Sequence, residues 1–229
     1  MKWPIVAALA FAVACGTSEM PVAAEPLAVD VDDVRFVDGV THRHLPLHPG
    51  DRRVFQQGLE RIDVEVLNGI FVVNGISCTQ TRSVVFIDET RIQDTYDRYA
   101  QDTDGNVWLL GEHTCAFEDD QCVSQEGSWA WGVGGGLPGI AVPAQPTVDG
   151  RRFSMALAPG AVEDVGEVIQ TDGDVTVPAG TFGDCFTLHV GRLGPTPDEL
   201  RSFCAGVGVV RTERPRTTEE LVELVPGTL

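Results

Sequence analysis

Four things are scarce or missing in this chain of 229 residues, and each narrows what it can do. Basic charge is scarce: 16 Lys and Arg stand against 34 Asp and Glu, a formal net charge of −18. With no basic patch to neutralise phosphates, nucleic acid is excluded as a partner. Cationic ligands, divalent metals or basic partners suit such a charge, as does plain solubility. A second apolar run of membrane length is missing after the N-terminal one, and no repeat of about 20–50 residues is present. A nucleophile elbow, a Cys with a partner His, an H-E-x-x-H helix and a Walker loop are all absent, so no sequence motif names an enzyme. Acidic residues such as Glu163, Asp164 and Glu167, or Asp94 with Asp97, could do acid–base work in a cleft, but solvated strand faces and turns explain them more simply. No cofactor is implied.

What is present begins with an address. Met1-Lys2, an apolar run over residues 3–13 and small residues before Cys15 make a secretory signal too short to span a bilayer. Ordinary signal peptidase could also cut after Ala14, but the cysteine at the new terminus resembles a bacterial lipoprotein signal, with Ala12 where Leu is commoner. The expectation is a signal peptide over residues 1–14, a lipid anchor on Cys15, and a tether over residues 15–40 rich in Ala, Pro, Val, Asp and Glu. The mature protein would then sit on a bacterial cell envelope, facing the periplasm or the exterior, joined to the membrane by that anchor. Residues 41–229 are a normal length for one domain.

The grammar of that domain is β. Residues 92–99 and 107–110 flank Asp104-Gly105-Asn106, whose residues tolerate positive φ, and predict a hairpin. Strands are expected over residues 52–57, 61–67, 70–73 and 76–87, punctuated by Asn68-Gly69, Asn74-Gly75 and Asp88-Glu89. Residues 62–66 alternate apolar and polar, so one face should be buried and the other wet. Further strands are expected over residues 152–157, 162–169, 174–177, 186–190 and 200–213, the last broken near Gly206-Val-Gly208. The fold class is all-β, a curved antiparallel sheet forming a barrel or half-barrel.

Candidate functional positions are few. Cys115 and Cys122 bracket an acidic tip, and Cys185 and Cys204 lie equally far from Gly194-Pro195, so each pair predicts a disulfide in an oxidising compartment. Cys78 is left over, on what reads as a core strand. His42, His44 and His48 would share one side of an extended strand, a copper or zinc geometry, although Pro46 and Pro49 break it and a solvated lead-in is the plainer reading. Asp102-Thr-Asp-Gly-Asn106 looks like the start of a calcium loop but has Thr114 where the bidentate Glu belongs, so a turn is favoured. Trp129-Ala-Trp131 puts two indoles on one strand face before a glycine-rich loop over residues 132–139. With Trp108, these rings mark the place to look for a small apolar ligand, although Trp108 suits sheet packing as well.

Three segments resemble a group of uncharacterised secreted bacterial proteins: residues 96–108, with the pattern YxxYAQDxxGNVW; residues 177–185, with VPAGTFxDC; and residues 203–210. The last two are also similar to the tail of lipoprotein-sorting-like half-barrels. The resemblance carries no known chemistry. This chain departs from it at Cys204, where Tyr is usual, and in the added pair Cys115 and Cys122. The expected function is a non-catalytic envelope lipoprotein that binds or carries a small apolar or amphipathic ligand. The alternative is a structural or protein-interaction module.

Overall fold

The computed structural model describes Val31, residues 33–192 and residues 198–227. The signal peptide, Cys15, most of the tether and the Gly194-Pro195 turn lie outside the described residues. Eighteen strands follow one another: β1 (Phe36–Val37), β2 (Val40–His42), β3 (Leu45–Leu47), β4 (Arg52–Gln57), β5 (Glu60–Val66), β6 (Phe71–Val73), β7 (Ile76–Ile87), β8 (Thr90–Asp102), β9 (Val107–Glu118), β10 (Gln121–Ser124), β11 (Trp129–Ala130), β12 (Leu137–Val142), β13 (Arg152–Ala158), β14 (Val162–Val177), β15 (Gly180–Arg192), β16 (Glu199–Cys204), β17 (Gly208–Arg214) and β18 (Thr217–Val225). There is no helix among the described residues. β1 begins inside the stretch expected to be tether, and Val31, Val34 and Phe36 already pack on the domain.

Twelve of these strands close into an antiparallel barrel in the order β8-β7-β5-β4-β18-β17-β16-β15-β14-β13-β12-β9, with β9 returning to β8. Of the two forms expected, the closed barrel is the one that occurs. The turns explain the tight hairpins: Asn74 and Gly75, Asp88 and Glu89, and Asp119 and Asp120 all have positive φ. Two successive left-handed residues match the right-handed twist of the flanking strands. The Asp104-Gly105-Asn106 turn is locked from below by Asp102. Its carboxylate accepts from the Asn106 backbone N–H at 2.8 Å, from Asn106 Nδ2 at 2.8 Å and from Trp108 Nε1 at 2.7 Å. That carboxylate is fully used by the turn, so the calcium-loop likeness ends there.

Alternation divides the wall into an outer face rich in charge and a mostly apolar inner one. Arg61, Asp63, Arg82 and Asp94 point outward and pair, Arg82 Nη2 reaching Asp94 Oδ2 at 2.6 Å. Such residues are costly on a lipid-facing wall, at about 2–4 kcal/mol for a cation at the bilayer midplane, so this part of the wall suits water. Inside, Phe186 and Phe203 stack at 5.0 Å between ring centres, among Leu188, Val190, Val168 and Met155. The small β2–β3 hairpin lies across the interior between β8 and β17, delivering Val40 and Leu47 to that core. Outside, the β14–β15 tip folds over β17 and β18, where the Ala179 N–H donates to Leu221 O at 3.0 Å.

Both expected disulfides are present, Cys115–Cys122 and Cys185–Cys204, and Cys78 is free and buried. Cys185 and Cys204 are direct cross-strand partners on β15 and β16 and are 3% and 0% exposed, whereas Cys122 lies on exposed β10. A reductant must reach a sulfur to attack it. Titrating the native protein with dithiothreitol and mapping alkylation by mass spectrometry should therefore open Cys115–Cys122 first. Labelling of Cys185 or Cys204 ahead of Cys122 would contradict this burial order.

Candidate functional site

The expected ligand wall does not form. Trp108 is 1% exposed, packed edge-on against Phe36 at 6.2 Å beneath the chain entry. Trp129 and Trp131 part company because β11 ends at Ala130. Trp129 keeps the inward register of Glu112, its partner on β9, and fills space left by Ala156 and Ala158. Its Nε1 is buried without a hydrogen-bond partner. Trp131 turns the other way, into the cluster that holds Phe36 and Trp108. Residues 132–136 form a rim loop that leads into β12.

The three histidines are also separated. Arg43 and His44 reverse the chain between β2 and β3, so the extended strand the metal geometry needs is absent. His42 Nδ1 accepts from the His44 N–H at 3.1 Å, His44 Nε2 sits 3.0 Å from Asp184 O, and His48 Nδ1 faces Asp51 Oδ2 at 3.4 Å. Burial lowers the pKa of His42, against hydrogen bonds to Ala144 and Pro143. No group of three metal-ligating side chains gathers among the described residues.

What the barrel does contain is an inner cavity of about 230 Å³ between the β2–β3 hairpin and the wall of β4, β5, β7, β8 and β16 to β18. Its lining mixes apolar Leu45, Leu47, Phe55, Val64 and Val209 with polar Arg53, Thr81, Ser83, Asp97, Tyr99, Arg201, Thr212, Arg214 and Glu219. Strand alternation explains the set: Asp97 and Tyr99 share a face of β8, and Phe55 pairs with both Ile62 and Leu221 on that same inner surface. β17 alone changes parity, because the register shifts between Ser202 and Phe203, and the bulge lets Val209, Thr212 and Arg214 all face in. At water's share of liquid volume the cavity equals about seven or eight molecules, small against ordinary ligand sites but large for a void in a packed core.

Its charges are organised around Glu199. Arg201 Nε and Nη2 both contact Glu199 Oε1, and Arg214 Nε reaches Glu199 Oε2 at 2.9 Å. Arg214 Nη1 is also 3.4 Å from Glu219 Oε2 and 3.3 Å from Gln57 Oε1. Burial would raise the Glu199 pKa, but the two guanidinium groups outweigh it and hold the carboxyl below its ordinary range. Glu219, with one such partner and more burial than that partner offsets, is pushed up. Burial works against the Arg201 charge, yet Glu199 more than restores it. Arg53, the third cation on the lining, is committed to Val207 O at 2.8 Å, Pro46 O at 3.1 Å and Asp51 at 3.8 Å.

Asp97 is different. Among the described residues no basic nitrogen lies within 4.0 Å of its carboxylate, and its hydrogen-bond partner is the neutral Tyr99 hydroxyl. Across the β8–β9 ladder it stands directly opposite another acid, Glu112. Burial pushes its pKa up to about 6, against the more distant pull of Arg201 and the help of Tyr99 and Arg98. The Tyr99 hydroxyl is itself pushed well above its usual range by burial and by Asp97. Asp94, grouped with Asp97 in the sequence, goes to the outer face and pairs with Arg82 and Arg91, so the two cannot act on one substrate.

Two other hollows are less organised. A trough of about 740 Å³ on the outer wall is lined by Arg52, Asp63, Glu65, Arg82 and the hairpin tips. Its arginines Arg82 and Arg91 are tied to Asp94. The third, about 300 Å³, lies under the β12–β13 connection. No family model, no curated protein and no solved structure matches this chain, so the inner cavity is read on its own chemistry.

Proposed function

We propose that the protein is a non-catalytic binder or carrier of a small amphipathic molecule, taken up inside the barrel and not at the tryptophan rim. One observation carries this reading: a cavity of about 230 Å³ lined by both apolar and polar groups, beside a buried apolar core. Well-packed cores leave few voids larger than a water, so a hollow lined by both kinds of group suits a ligand with both kinds of surface. The signal-like N-terminus and the resemblance to secreted bacterial proteins support a lipid-anchored envelope location, with Cys15 as the anchor. The two disulfides are compatible with an extracellular or periplasmic location.

Native mass spectrometry of the protein from an oxidising compartment, compared with the denatured sample, tests both parts. Mass lost on denaturation identifies the cargo, and a denatured chain lighter by about four hydrogens than the fully reduced form reports two disulfides. A bare native chain that also takes up no added amphiphile would sink the carrier reading.

A second reading, a protein-interaction module, is favoured by one feature. Ile70 and Val72 beside β6 are 77% and 65% exposed, and Val133 in the glycine-rich loop is 67% exposed. Asn74 at the β6–β7 turn abuts Gly132, so the strand end and the loop adjoin. Apolar groups exposed together on a water-facing protein are one mark of a contact surface.

A further inference from the structure

We propose that the inner cavity selects a cationic head group, a primary or secondary ammonium on a short apolar body, with Asp97 as its counter-ion. This rests on the ligand-binding reading above and names the chemistry of that ligand. The argument is one of which charges already have partners. Each cation on the lining is committed: Arg201 to Glu199, Arg214 to Glu199 and Glu219, Arg53 to Asp51 and two backbone carbonyls. An anionic ligand would have to compete with those carboxylates for every guanidinium it met. The one lining charge without an opposite charge in contact is an anion, Asp97.

The neighbours agree. Across the β8–β9 ladder the direct partner of Asp97 is Glu112, so the neighbouring strand supplies no base opposite it. Tyr99, two residues along the same strand face, offers its ring and hydroxyl to the same space. An ammonium there gains a carboxylate, a hydroxyl acceptor and an aromatic face. Leu45, Leu47, Phe55, Val64 and Val209 of the same lining would cover the hydrocarbon. The net charge of −18 draws cations toward the protein as a whole.

The same geometry makes binding respond to pH. Around Asp97 the titratable and charged groups are Arg98 and Tyr99 on β8, Glu112 on β9, Arg201 with Glu199 on β16, and, beyond them, Asp164 on β14, Arg214 on β17 and Glu219 on β18. An alkylammonium stays charged through this range, so the carboxyl sets the dependence. With Asp97 titrating at about 6, an ammonium must displace a proton below that pH, and affinity falls about tenfold between pH 7.5 and pH 5.

The test is calorimetric titration of the protein with octylamine, octanol and octanoate, three probes with one hydrocarbon body. Octylammonium is expected to bind one per chain, at least about tenfold tighter than the other two at pH 7.5, the size of one contact ion pair gained without a competitor. In Asp97→Asn that advantage should vanish. Octanoate binding as tightly as octylammonium would overturn the proposal and leave the cavity reading standing. Failure of all three to bind would remove the cavity reading and the proposal together. Should the asparagine variant fold poorly, the pH series on the unaltered protein decides: octylammonium affinity that is flat from pH 7.5 to pH 5 overturns the role of Asp97.

Discussion

Asp97→Asn is expected to make the protein more stable at pH 7.5, by about 2–3 kcal/mol, and to change nothing at pH 4. A carboxyl that titrates at about 6 in the folded chain and at an ordinary 3.8 in the unfolded one binds more protons folded than unfolded between those values. Stability therefore falls as pH rises from about 4 to about 6, and the full penalty stands above that window. A pKa raised from 3.8 to about 6 corresponds to about 3 kcal/mol, and the lower figure allows for the part of Asp97 that the cavity keeps accessible. Asparagine keeps the shape and removes the ionisation. Urea unfolding at the two pH values would show it, with the slope of stability against denaturant unchanged, since the same surface is exposed. A weak downward trend between pH 4 and pH 7 should survive in the variant, because Glu219 is displaced in the same direction. A loss of stability at pH 7.5 would instead mean that Asp97 serves as a structural counter-ion to Arg201.

The walls of that barrel are more legible in the sequence than its contents. β7 has the bounds read from its β-rich run, and the Asp104-Gly105 turn reverses the chain where its residues allow it. Local patterns suffice there because turn chemistry and alternation act over a few residues. The closing strand escapes a sequence reading. β18 (Thr217–Val225) joins β17 to β4 and converts a half-barrel into a barrel, but its register shifts between Leu221 and Glu223 and breaks the alternation that would announce it. Long β14 reads as two strands because it bends past Gln170, where its pairing with β15 also shifts. The two cysteine pairs are readable from position alone. The site is not, since Asp97 on β8 lies far in sequence from Arg201, Arg214 and Glu219 on β16 to β18 and meets them only on closure. Asp97 on β8 shows why. Two inward residues among Tyr96 and Arg98 look like an ordinary wet strand face, and only the barrel shows that this face is the inside. The tryptophans mislead for the opposite reason, being large and local, and two of them are core.

Glu199→Gln should destabilise the fold by about 3 kcal/mol at pH 7. Removing one partner of a buried ion pair leaves the other charge uncompensated, at about 3–5 kcal/mol, and here one carboxylate serves two guanidinium groups. The low end applies because Arg201 and Arg214 keep about a third of their side chains accessible, at 34% and 36%. A glutamine amide would turn a donor toward one of them. The native contribution follows pH in the sense opposite to Asp97: the Glu199 pKa is depressed, so its stabilisation is complete above the ordinary 4.5 and is lost as acid protonates it below that. Thermal unfolding at pH 7 and pH 3.5 would find the variant and the parent far apart at the first and closer at the second. Adding Arg201→Met should recover part of the loss, because the stranded charge leaves with its partner, and equal or greater damage in the double variant would refute the pairing. The two predictions also meet in the ligand. With Glu199 gone, Arg201 is released into the cavity, and octanoate should gain on octylammonium, turning a site for cations toward anions by removing the carboxylate that holds Arg201.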